Sequence, residues 1–281
     1  MPTLKKLLRT KYDFVCGIGN DCGCAGHLIK ARLRRASYPL DWVGTWSIRM
    51  TDVAKLVEND FADFLHLENL QILPLPPPVD TPEGRLDDAH HLWCGDVATR
   101  IVIPHDFLMG RTLAESFPEV RKKYDRRIKR FYQTMSESRR ALFVYWTWRT
   151  HTDEDDILAA AKIFRSKFQG HQVDLLVIRH DDRKDIDARA IGEGVFLVDG
   201  PVHPPGANPA FGDFALNARL FSLIRLRGKR RALLRERLVR LAMRVKSAFI
   251  FDREKRHAYR ERLGEARGGF HRPGQLSPAQ R

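Results

Sequence analysis

The sequence predicts an α/β fold: one domain with a largely parallel sheet flanked by helices, followed by a basic helical C-terminal extension. Three observations predict it. Five short runs rich in Val, Ile, Phe and Leu are mostly apolar at successive positions, the pattern of strands covered on both faces. Between them lie stretches with apolar residues at steps of three and four, as in buried helical stripes. Beyond residue 225, arginines fill the positions between regularly spaced leucines.

The five runs are residues 13–18 (DFVCGI), 100–103 (RIVI), 141–147 (ALFVYWT), 173–178 (VDLLVI) and 195–198 (VFLV). Residues 24–35 place Ala25, Leu28, Ile29 and Leu33 on one helical face, opposite Lys30, Arg34 and Arg35. Residues 119–136 carry Val120, Tyr124, Ile128, Phe131 and Met135 as a second stripe. Residues 153–168 open on TDEDD-type acids, which suit a helix N-terminus, and continue ILAAAKIFRSKF. Strand, helix, strand over 141–178 is a βαβ unit, which implies parallel pairing.

Residues 73–88 (LPLPPPVDTPEGRLDD) are proline-rich and predict a loop. A second loop, VHPPGANPAFGD, spans 202–213. After it a helical pattern runs to about residue 265, with Leu234, Leu238, Leu241, Val245 and Ala248 on one face. The expected division is an α/β domain at 1–214 and a basic amphipathic extension at 215–281.

Composition narrows the class. The 281 residues are 43% hydrophobic, enough for an ordinary core, and no apolar run approaches the roughly 18–20 residues of a membrane-spanning helix. The N-terminus has no apolar stretch of signal-peptide type, so a cytoplasmic protein is expected. Four cysteines, three of them within Cys16–Cys24, make no disulfide framework, and thiol chemistry stays open. Residues 1–40 carry eight Lys/Arg against two acids (net +6), residues 41–224 carry 23 against 28 (net −5), and residues 225–281 carry 18 against five (net +13). The basic excess therefore belongs mostly to the tail and does not make the body a nucleic-acid binder.

Cys22, in GIGNDCGCA, is the first candidate for chemistry. After a strand at 13–18 its sulfur would stand at a helix N-terminus, where backbone amides and the dipole favour a thiolate. Local sequence fits a buried structural cysteine equally well. A thiolate nucleophile needs a base. His105 and Asp106, in RIVIPHDF, directly follow a predicted strand, where α/β folds gather reactive groups, and His105 could meet Cys22 there if the two strands are parallel neighbours. His105 reads alternatively as a loop histidine, and Asp106 as the N-cap of a helix from residue 107.

The stretch GIGNDCGCAGHLIKARLRRASYPLDWV resembles the opening of an uncharacterised bacterial family of papain-like cysteine peptidases, which reads strand, S-L-G-x-x-C-x-x-A, L-R, then S-x-P-F-D-W. Gly19, Cys22, Ala25, Leu33, Arg34, Ser37, Pro39, Asp41 and Trp42 match it. Gly17 stands where Ser is usual, and Leu40 where Phe is. HDF at 105–107 and KYDRRIKRF at 123–131, followed by ALFVYWTWR, resemble later blocks, so the likeness covers about residues 12–180. It implies Cys22 as nucleophile, His105 as base and Asp106 as orienter, with backbone amides near 22–24 holding an oxyanion. It also implies that transfer of an acyl group to a hydroxyl or amine is open beside hydrolysis, since similar proteins occur beside surface-polysaccharide genes.

Asp41 and Trp42 suit a pocket lining, as acceptor and wall, or equally a packed turn. Arg127 and Arg149 offer forks for a carboxylate or phosphate, or are solvated helix arginines. Cys22, Cys24, His90, His91 and Cys94 lack zinc-site spacing, and no Gly-rich phosphate loop appears, so neither metal nor cofactor is expected. The acid clusters at 153–156 and 180–187 suit a rival reading, a metal-dependent sugar transferase of polysaccharide synthesis. A third is a non-catalytic protein tethered by its tail. Residues 225–272 suit packing or an anionic membrane surface on the inner face, and their few aromatics argue against nucleic acid. The peptide, acyl or glycan substrate is left open.

Overall fold

The structure is a computed structural model that describes residues 7, 9–19, 22–45, 48–74, 79–81, 84–86, 90–148, 152–181, 186–201 and 214–228. In chain order its elements are β1 (Lys11–Tyr12), β2 (Phe14–Gly17), α1 (Cys22–Lys30), α2 (Met50–Glu58), β3 (Leu70–Ile72), β4 (Val79–Thr81), β5 (Gly84–Leu86), β6 (His91–Asp96) and β7 (Ile101–Leu108). There follow α3 (Leu113–Ser136), β8 (Arg140–Trp148), α4 (Glu154–Lys167), β9 (Gln172–Asp181), β10 (Asp187–Gly192), β11 (Val195–Pro201), α5 (Phe214–Leu223) and β12 (Arg225–Leu226).

Five strands form the main sheet in the order β10-β11-β9-β8-β2, parallel throughout except for β10, which pairs antiparallel with β11 at one edge. The unbroken apolar runs follow from this arrangement, because successive side chains enter opposite faces and both are covered. Phe14, Cys16, Phe143 and Tyr145 pack with α2, α3 and α4 on one side. Val15, Leu142, Val144 and Trp146 pack with α1 and α5 on the other. On that second face His27 of α1 stacks on Trp146 at 5.0 Å between centroids, and His180 of β9 lies 4.8 Å from the same ring.

A second sheet, β3-β6-β7, is antiparallel. The expectation that 100–103 would join the parallel sheet is corrected by it: the strand runs from Ile101 to Leu108 and pairs with β6. A hairpin strand fed by a short turn cannot enter a parallel sheet without a crossover. The proline-rich 73–88 segment likewise contains a short hairpin, β4 with β5. Helix α3 starts at Leu113, six residues before the expected 119; Thr112 and Glu115 form a capping box that outweighs Pro118 in the second turn.

Two compact units result, Met1–Leu226 and Arg227–Arg281. Helix α5 packs on α1, and β12 pairs with β1, so residues 214–226 belong to the first. The amphipathic pattern from 229 to 265 lies outside the described residues. No described helix is long and apolar enough to cross a membrane.

Candidate active site

Strand β2 is buried along its length and pairs in register with β8, Gly17 facing Val144. The pairing continues past it: Ile18 N–H donates to Val144 O (2.9 Å), and Trp146 N–H to Gly19 O (3.3 Å). Gly19 then turns the chain at φ +124°, where a Cβ would lie 2.7 Å from Thr45 Oγ1 and 3.1 Å from the Tyr145 ring. Only glycine fits both the dihedral and the space. Helix α1 begins at Cys22, which puts that thiol at the helix N-terminus beyond the C-terminal end of a parallel strand. Cys22 is half-buried, whereas Cys16, Cys24 and Cys94 are buried. Burial pushes the Cys16 thiol far above its ordinary range, and the Cys94 thiol up to about 12. Both are therefore protonated near neutral pH.

The turn after α1 packs against this strand end. Asp41 is buried; its Oδ2 accepts from Arg34 Nε (2.7 Å) and from Tyr38 N–H (2.6 Å). Among the described residues its Oδ1 has no hydrogen-bond partner, and it lies 3.7 Å from where a Gly17 Cβ would stand. Burial raises the Asp41 carboxyl above its usual range, against the pull of Arg34, the Tyr38 amide and Arg127. Arg34 also donates to Ser37 Oγ (2.6 Å) and lies over the half-buried Trp42 ring at 5.5 Å. The S-Y-P-L-D-W block is thus one hydrogen-bonded turn fixed to the Cys22 end of β2.

Gly44 and Thr45 join the two sheets. Thr45 touches Gly19, while Gly44 exchanges hydrogen bonds with Val102 of β7 (2.7 and 2.9 Å). Three residues further along β7 is His105, partly buried, its ring edge-on to His91 of β6 at 5.9 Å. His105 and Asp106 lie within the strand, not past its end as expected, and β7 and β2 are not neighbours in one sheet. Asp106 lies inside a strand and caps no described helix: its carboxylate accepts a hydrogen bond from Lys123 of α3 and stands 3.9 Å from Arg127 Nη1. Arg127 lies over the Tyr124 ring at 5.0 Å and helps to hold Asp41 ionised. Arg149 lies outside the described residues.

The structure therefore gathers Asp106 and Arg127, with Asp41 in electrostatic reach of Arg127, behind the turn that carries Cys22. Lys123 and Thr45 were not singled out from sequence, and His91 was weighed only as a zinc ligand. For Lys123 a signal existed: it stands four residues before Arg127, hence on the same helix face. For Thr45 none did, because its partners are distant in sequence.

Of the acids that suited a metal site, Asp153 and Asp156 are engaged otherwise and Asp187 accepts from Arg189, while residues 182–185 lie outside the described residues. Asp153 caps α4, accepting from Asp156 N–H (2.7 Å). Asp156 accepts from Met50 N–H, Thr51 N–H and Oγ1, Thr152 Oγ1 and Arg49, tying the N-terminus of α2 to α4. Asp199 binds Arg179 in a two-pronged pair (2.6 and 2.9 Å) and also meets Arg189 (2.9 Å).

The site thus presents a half-buried thiol at a helix N-terminus, above the end of a parallel strand of an α/β protein. Residues 13–183 match the family described as "Putative papain-like cysteine peptidase (DUF1796)", and the chain belongs to that family. A protein of Acanthamoeba polyphaga mimivirus, printed as "Uncharacterized protein R408", is 25% identical over 134 residues, 45% of this chain. The chain spans 58% of the length of that relative. No solved structure matches.

Proposed function

We propose that the chain is a cysteine-dependent hydrolase or acyltransferase with Cys22 as nucleophile and His105 as base. The observation that carries the proposal is the placement of Cys22 at the start of α1, with β7 tied to the same turn through Gly44, Thr45 and Gly19. His105 accepts the thiol proton, and the thiolate attacks a carbonyl carbon. Backbone N–H groups of the first turn of α1 face the developing oxyanion. Collapse of the tetrahedral species breaks the bond to the leaving amine or alkoxide, which takes the proton from His105 and leaves a thioester on Cys22. Water, or an acceptor hydroxyl or amine, then attacks the thioester, giving hydrolysis or transfer. A glycan hydroxyl is among the acceptors this chemistry allows. Half-buried Trp42 offers a wall for the substrate, while the buried Asp41 and Arg127 act from within the turn and α3 behind it. The protein works in the cytoplasm, and the net +13 of residues 225–281 holds it at an anionic membrane face.

Two measurements test this. The rate of iodoacetamide alkylation at Cys22 is followed against pH by peptide mapping. An activated Cys22 reacts at pH 6 about tenfold or more faster than an ordinary thiol and loses that advantage in His105→Ala. An ordinary rate that ignores His105 ends the proposal. Sedimentation with vesicles containing anionic lipid tests the tail: binding is expected for the full chain and lost at high salt.

A further inference from the structure

His105 sits at a break in its own ladder. In the β6–β7 pair Leu92 faces Phe107 and Cys94 faces Ile103, so Pro104, His105 and Asp106 together oppose the single residue Trp93. Pro104 has no N–H to give to the ladder. Beyond Val102, where Gly44 pairs, β7 is the edge of its sheet, with β6 alone beside it among the described residues. The regular register is therefore interrupted at the residue that carries the imidazole. A bulge of this kind re-aims a side chain, and bulges concentrate beside active sites.

A hold on that bulge comes from the helix packed beside it. The side chain of Asp106, the residue after His105, is 6% exposed and faces two cations of α3 one helical turn apart: Lys123, which donates a hydrogen bond to it, and Arg127, whose Nη1 stands 3.9 Å away as an ion pair without a hydrogen bond. Arg127 is braced in turn on the Tyr124 ring at 5.0 Å, and Tyr124 is wholly buried in the core against Phe64. Helix α3 is a firm anchor: 24 residues long, closed by its capping box, with Tyr124, Phe131 and Met135 in the core. The carboxylate thus couples the position of a long, core-anchored helix to the bulge.

We propose that Lys123, Arg127 and Asp106 are positioning residues for His105, a clamp that holds the bulge so that the imidazole faces Cys22. The proposal rests on the Cys22–His105 reading above and assigns Asp106 a part distinct from direct orientation of the ring. Misplacing a reacting group by about 1 Å costs on the order of a hundredfold in rate, so loosening the clamp acts on chemistry before it acts on the fold.

The test uses the full chain and the same readout, alkylation of Cys22 at pH 6, in Asp106→Asn, Lys123→Met and Arg127→Gln, each with its melting temperature. Each variant is expected to slow alkylation about tenfold or more. Arg127→Lys, which keeps the charge, recovers part of the rate. Combined with His105→Ala, none of the three slows Cys22 further, because each acts through His105. Wild-type alkylation by variants that melt like the parent overturns the clamp and leaves the dyad standing. So does a loss that persists in the His105→Ala background. A parent rate that ignores His105 overturns the dyad, and the clamp with it. If Asp106→Asn does not fold, Arg127→Lys and Lys123→Arg carry the same comparison with the charges retained.

Discussion

Asp41 accepts two hydrogen bonds on one carboxylate oxygen and none on the other, and the reason lies in a neighbour that lacks a side chain. A Cβ at Gly17 would stand 3.7 Å from the bare Oδ1 and 3.2 Å from Cys24 Sγ. A serine there, usual in the family pattern the sequence resembles, can donate to Oδ1. Gly17→Ser is therefore expected to stabilise the fold by about 1 kcal/mol, read from the urea midpoint, through a satisfied acceptor and a stiffer unfolded chain. A loss of that size instead means that Cys24 cannot yield the few tenths of an ångström required. The opposite case is Asp156, whose two oxygens are fully used. Its replacement by Ala leaves the N-terminal amides of α2, the Thr152 hydroxyl and the Arg49 guanidinium without their acceptor. That loss is expected to cost about 3 kcal/mol in chemical denaturation; a change below 1 kcal/mol would show that water replaces the carboxylate.

Among the elements, α3 links the core to the site. Thr112 Oγ1 accepts from Glu115 N–H (3.2 Å), and Glu115 Oε2 accepts from Thr112 N–H (2.8 Å), so two orphan donors of the first turn are satisfied. Thr112→Ala is expected to lower stability by about 1 kcal/mol by differential melting, and an unchanged melt would mean that the first turn frays without consequence. Phe131 meets the rings of Phe14, Tyr38, Phe61 and Phe143, and Phe131→Ala is expected to cost about 3–5 kcal/mol. These residues show how far an element could be read from its sequence. Val120, Tyr124, Phe131 and Met135 were legible as a buried stripe because helical periodicity is a local property. The start at Leu113 was not read, since Pro118 masks it unless Thr112 and Glu115 are recognised as a pair. Helix α2, β6 and the pairing of β6 with the legible run at 100–103 also escaped sequence reading. Helix α2 is short, and which strand β7 pairs with is set by partners elsewhere in the chain.

For the whole molecule, buried carboxylates set the response to acid. Burial alone would raise Asp156 and Asp199, but hydrogen bonds from Thr152, Thr51 and the Met50 amide outweigh it at the first. Contacts with Arg179 and Arg189 do so at the second, and both carboxyls stay below their usual range. A lowered folded-state value contributes stability above the ordinary carboxylate range that is lost as pH falls through the folded value. Asp41 has the reverse sign, its raised value contributing at low pH and losing that contribution as pH rises through it. With two groups against one, the urea midpoint is expected to fall on acidification below about pH 4. Asp156→Asn is expected to flatten part of that slope, and an unaltered slope would remove Asp156 from the account.

By itself the sequence determined the strand-forming runs of the parallel sheet, the helices between them, the glycine turn before Cys22 and the charge of the tail. All are local: they follow from periodicity, turn chemistry and composition within a few residues. Only the tertiary structure decided that His105 belongs to a second, antiparallel sheet. The same is true of Asp106, which reaches α3, and of Gly44 and Thr45, which tie that sheet to the cysteine turn. The physical reason is that strand partnership and side-chain aim depend on which distant surfaces a segment buries, and a bulge at Pro104–Asp106 exists only relative to the strand it fails to match.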